Sequence, residues 1–210
     1  MDLTHPIKSV IPSAHGPVLA VLASTEAPLT GRGVAALLDG RVSARRVADV
    51  LNELVHAGVV RRDPAGAAYL YRLNRDHLAA PAITALAGLR STLLDAIAAE
   101  VDQWSRPAIA LWLFGSVARG DAGPDSDVDL LVIRPSTIAD DDQIWVEQVT
   151  NLEQRVQAWS GNHATVVEYD EDEFASLVDS NDSLIDALRS DAIRLAGDSV
   201  LQRCRARDDQ

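Results

Sequence analysis

The sequence predicts an α+β fold in two parts joined by a helical segment. Three observations carry this reading. Residues 15–74 run helix, helix, helix, hairpin. Residues 77–104 repeat apolar side chains at helical spacing. Residues 108–196 alternate short apolar runs with amphipathic stretches, as a mixed sheet with flanking helices does. The parts are bounded at 1–76, 77–106 and 107–210.

In the first part, 15–23 reads as a short helix with Pro17 in its first turn. After a break at Pro28, 29–38 reads as a second helix, ended by a turn at Asp39 and Gly40. Ser43 is a natural N-cap for a longer helix over 44–56. There Val47, Val50, Leu51, Leu54 and Val55 recur on one face, and Gly58 stands at the C-cap. Val59 to Arg62, a turn over Asp63–Gly66 and Ala68 to Leu73 form a hairpin signature. This order resembles a winged helix-turn-helix domain over about 60 residues, most closely in the stretch from Leu54 to Arg62. The resemblance implies double-stranded DNA as a partner, with the third helix in the major groove and the wing on the backbone. Arg41, Arg45, Arg46, Arg61 and Arg62 are the candidate contacts. Solvated arginines on a domain that only mediates dimerisation are the competing reading.

The connecting segment, with Leu78, Ile83, Leu86, Leu89, Leu93, Leu94, Ile97 and Val101, is expected to be one helix that packs or dimerises. The third part opens on a buried strand, 108–114, by its unbroken apolar run. A turn at Gly115-Ser116 follows, then a short helix from Val117 and a strand over 127–133. A helix over 140–159 follows, with three aspartates in its first turn. A strand over 163–169, helices over 171–178 and 183–189, and a last short strand over 192–196 complete the chain.

Charge is distributed unevenly. The net charge is −12, yet residues 1–78 hold nine basic against seven acidic side chains, a net of +2. The rest holds ten against 24, a net of −14. Nucleic acid therefore remains a partner class for the first part alone. At 47% apolar and 24% charged, the composition is that of a globular chain. No apolar run approaches the roughly 18 residues needed to span a bilayer, and residues 1–10 do not read as a secretory leader. A single cysteine, Cys204, excludes an internal disulfide and fits a cytoplasmic location.

The chemistry concentrates between Leu113 and Val132. Asp127 and Asp129, spaced i and i+2 at the start of a strand, aim their carboxylates to one side. Like charges that close call for a cation. The Gly115-Ser116 turn offers backbone N–H groups and a hydroxyl suited to phosphate oxygens. Gly115, Ser116, Arg119 and Gly120 followed by Ser126, Asp127, Asp129 and Leu130 resemble the signature of the DNA polymerase β-like nucleotidyltransferase superfamily, closest to its minimal members.

That resemblance implies Mg²⁺ (or Mn²⁺) on Asp127 and Asp129 and an NTP, taken as ATP. Gly115 and Ser116 would meet its phosphates, with Arg119 and Ser126 beside them. It also implies a third carboxylate, catalytic and metal-holding, from a later strand. Glu168 is the first candidate and Asp170 the second, and absence is the third possibility, because the family position falls on Thr165 in another register. Positions 165 and 168 have opposite parity and cannot both face the metals. The implied activity is Mg-dependent transfer of a nucleoside monophosphate to a hydroxyl on a protein, RNA end or small molecule, as in toxin–antitoxin components, by an expected homodimer. The alternative is a DNA-binding regulator whose degenerate transferase domain senses NTP.

Overall fold

Side chains on β5 (Val128–Arg134) alternate between two apolar layers, which is why its sequence reads as a continuous apolar run. In the computed structural model, which describes residues 1–180 and 183–197, Val128, Leu130 and Val132 join one core cluster. Leu131 and Ile133 join another, on the opposite face. β5 is central in a four-stranded sheet ordered β6-β5-β4-β7, where β4 is Ala110–Phe114, β6 Ala164–Asp170 and β7 Ile193–Gly197. β4 runs antiparallel to β5 and β7, and β6 parallel to β5. The mixed sheet predicted from the sequence is present.

α6 (Leu89–Asp102) and α8 (Gln143–Ser160) supply Leu93, Ile97, Trp145, Val149, Leu152 and Val156 to the first layer. Trp104 and Trp145 meet edge to face there, with ring centroids 5.3 Å apart. α9 (Glu171–Asp179) and α10 (Ser183–Asp191) cover the second layer, where Phe174 stacks on Trp112 at 5.7 Å. The acidic start of α8 lies one turn later than expected. Asp142 is the N-cap, accepting from Trp145 N at 3.0 Å, and Asp140 and Asp141 precede the helix.

The chain divides into two units: residues 5–90 form one, and residues 1–4 with 91–210 the other. In the first unit, α1 (Ile7–Val10), α2 (His15–Ala23), α3 (Gly31–Leu37) and α4 (Ala44–His56) pack with α5 (Ala80–Ala87) around Val18, Leu22, Val34, Val47, Val50 and Leu51. Ser43 caps α4 by accepting from Arg46 N at 3.3 Å.

Three further sequence expectations change. Residues 29–38 are not one helix, because Leu29–Thr30 form β1 against β3 and the helix starts at Gly31 with Thr30 as its N-cap. The hairpin of β2 (Val60–Ala65) and β3 (Ala68–Leu73) runs through Asp63 and Pro64 to a tight turn at Gly66, φ +60°. The connecting segment is two helices, α5 and α6, with Gly88 between them; glycine is the weakest helix former after proline. Among the described residues no single helix is long and apolar enough to cross a membrane. Cys204 and the tail Arg203–Gln210 lie outside the described residues.

Candidate functional site

The turn between β4 and α7 (Gly115–Arg119) admits only glycine at its first position, for two reasons. Gly115 sits at φ +70°, in the left-handed region, which costs a residue with a Cβ roughly 1 kcal/mol or more. A Cβ there would also lie 2.1 Å from Asp129 Oδ2. The bare backbone is what lets the Asp129 carboxylate lie against the turn. Ser116, half-buried, follows directly.

Asp129 stands in register with Phe114 on β4 and Thr165 on β6. It is half-buried, whereas Asp127, two residues earlier at the entrance to β5, is exposed. The Asp129 carboxyl is pushed above its ordinary range, first by partial burial and next by the Asp127 charge, while the Arg119 guanidinium pulls it back down. Arg119 Nε also donates to Asp121 at 3.2 Å. The Ser126 hydroxyl accepts from Gly123 N at 2.9 Å and so closes the turn that leads into Asp127.

A carboxylate whose ionisation is opposed by a neighbouring carboxylate's charge, beside an unobstructed backbone turn, fits a hard divalent cation. Magnesium takes one or two protein carboxylates and fills the rest of its shell from water and phosphate.

Glu168 is not brought to this pair. Parity is the reason. Register partners share a face of the sheet, and Glu168 is aligned with Val132, whose side chain belongs to the opposite layer from Asp129. There Glu168 accepts from Trp145 Nε1 of α8. Asp170 lies on that same opposite face and caps α9, accepting from Asp172 N and Glu173 N while Glu173 returns a bond to Asp170 N. The β6 residue level with Asp129 is Thr165. Among the described residues no group of three or more His, Cys, Asp or Glu side chains is disposed to hold a metal.

The five arginines singled out in the first unit are exposed, and most are already engaged. Arg41 contacts His5 and donates to Leu38 O at 2.9 Å. Arg46 pairs with Glu53 at 3.0 Å, Arg61 pairs with Asp76, and Arg62 lies 4.6 Å over the Tyr69 ring. Arg45 projects from the first turn of α4. Of the tryptophans, Trp104, Trp112 and Trp145 are buried, and Trp159 is partly exposed beneath Arg155. One residue near the acidic pair carries no sequence motif: Asn162, buried between α8 and β6, bonds the loop that precedes Asp127.

Residues 94–181 match the family described as nucleotidyltransferase domain. This stretch holds the Gly115 turn, the acidic pair and β6. No curated protein matches the chain. Two solved structures are similar. One is a toxin–antitoxin crystal structure with AMP-PNP, 15% identical, with a TM-score of 0.38 over 55% of this chain and 86% of that one. The other is TrmBL2, an archaeal chromatin protein described with a novel mode of DNA binding, 13% identical, with a TM-score of 0.31 over 98% of this chain and 96% of that one. Residues 94–181 are therefore similar to nucleotidyltransferase domains, within a longer two-unit chain.

Proposed function

We propose that the unit containing residues 91–197 binds a nucleoside triphosphate with Mg²⁺ and transfers its nucleoside monophosphate to a hydroxyl acceptor. The observation that carries this reading is the approach of Asp129 to the bare Gly115 turn, with Asp127 beside it. Asp127 and Asp129 hold the cation, which when bound withdraws charge from the phosphates. The Gly115 and Ser116 backbone N–H groups and the Ser116 hydroxyl receive the terminal phosphates, and Arg119 adds positive charge at the rim. The protein's part is to fix charges before the reaction starts. The acceptor oxygen forms a bond to the α-phosphorus, the bond from that phosphorus to the β-phosphate oxygen breaks, and pyrophosphate leaves.

Thr165 beside Asp129 favours a second reading. With no carboxylate of β6 facing the pair, the acceptor's proton passes to solvent or to a base on the acceptor itself. Turnover is then slow, and bound nucleotide serves as a signal. In that form the order of α2, α3, α4 and the β2–β3 hairpin acts as a winged helix-turn-helix on double-stranded DNA, through Arg45 and the wing, and nucleotide modulates its affinity.

The test is label transfer from α-³²P-ATP with Mg²⁺ into a cell extract, comparing wild type with the Asp127→Asn/Asp129→Asn double variant. Transfer is expected only with wild type. Equal transfer by both removes the site assignment. Nucleotide binding without transfer, together with a nucleotide-dependent shift of duplex DNA, selects the second reading.

A further inference from the structure

The loop from Gly120 to Asp127 connects α7 to β5 and delivers Asp127 to the site. Its backbone is held from outside by two elements distant in sequence. Asn162, only 4% exposed, donates its side-chain amide to Pro124 O at 3.1 Å and to Ser126 O at 2.9 Å. Its Oδ1 accepts from the Met1 nitrogen at 2.7 Å. A buried amide with every group matched is a rigid strut, and loss of its donors leaves two carbonyls without partners. The second element is the segment of residues 1–4, which belongs to the unit of the site although residues 5–90 form the other. Leu3, 1% exposed, is embedded in the same core cluster as Ala122. Thr4 Oγ1 donates to Ala122 O at 3.0 Å.

Backbone bonds anchor the two ends of the loop. Asp121 N donates to Ser116 O at 3.1 Å, and Val128 N donates to His163 O at 2.8 Å, one residue beyond Asn162. Each support lies within a few residues of Asp127, which is itself exposed. Its position is inherited from the loop.

We propose that Asn162 and Thr4 are positioning residues for the nucleotide site. They touch neither metal nor nucleotide; they fix the backbone that places Asp127 beside Asp129. The inference rests on the Mg²⁺–nucleotide reading above. Removing a residue that orients a metal ligand typically lowers metal affinity about 10- to 100-fold.

The experiment titrates Mg²⁺ into the full chain with ATP present and reads ATP binding by calorimetry, alongside ATP binding in EDTA. Asn162→Ala and Thr4→Val are each expected to raise the Mg²⁺ concentration at half-effect, by about tenfold for Asn162→Ala. Metal-free ATP binding at the Gly115 turn stays unchanged, and Thr4→Ser restores the wild-type value. Hydrogen exchange gives a second readout: the Gly123 and Ser126 amides exchange faster in both damaging variants. If Asn162→Ala does not fold, the Thr4→Val and Thr4→Ser pair decides. An unchanged Mg²⁺ dependence in folded variants, or an equal loss of metal-free binding, overturns the proposal. Failure of the underlying reading looks different: wild type itself then shows no Mg²⁺-dependent ATP binding, and the positioning role falls with it.

Discussion

In the metal-free protein Asp129 carries a charge that its surroundings oppose, through partial burial and through Asp127. Its folded pKa lies above its ordinary value, so the folded protein binds that proton more tightly than the unfolded chain. Stability therefore falls as pH rises from the ordinary carboxylate range through the raised value. Asp129→Asn is expected to raise the melting temperature at neutral pH and to flatten this acid-side dependence, while removing Mg²⁺-dependent ATP binding. Melting curves from pH 4 to 7 check the sign. The two candidates on β6 separate in the same way. Glu168→Gln is expected to leave transfer unchanged and to cost about 1 kcal/mol through its bond to Trp145. Thr165→Asp, which sets a carboxylate level with Asp129, is expected to raise the transfer rate at least several-fold. Transfer that falls in Glu168→Gln and stays flat in Thr165→Asp would place the catalytic face on the other side of β6.

At the scale of elements, legibility followed the strength of local signals. Ser43 and the apolar face of α4 fixed that helix, and the apolar runs of β4 and β5 fixed the sheet centre. The Gly115 turn and the Asp127–Asp129 spacing were readable because they are local. Strand register is not local, so the face of Glu168 follows only from the pairing of β5 with β6. Asn162, Leu3 and Thr4 were invisible for the same reason: single side chains meet a loop more than 35 residues away in sequence. The helix ending at Ala87 and the short β1 were missed because Gly88 and Gly31 interrupt patterns that apolar spacing alone continues. One prediction belongs to α4. Arg45→Ala is expected to weaken duplex binding uniformly across sequences and to reduce the slope of log affinity against log salt by about 1. A gel-shift series at several salt concentrations measures it, and an unchanged slope removes Arg45 from the interface.

At the scale of the whole molecule, charge is divided along the chain much as the proposed work is. The net of +2 over residues 1–78 suits a polyanion, and the net of −14 over the remainder does not. On the proposed reading, nucleotide binding in the acidic part depends on local neutralisation by Arg119, by the Gly115 and Ser116 N–H groups and by a cation held on the acidic pair. The measurement that tests this most directly is calorimetric titration of ATP into wild type and into Asp127→Asn/Asp129→Asn, each with Mg²⁺ and with EDTA. The account predicts that Mg²⁺ strengthens ATP binding to wild type at least tenfold, worth about 1.4 kcal/mol, and has no effect on the double variant. Equal enhancement by Mg²⁺ in both proteins would contradict it.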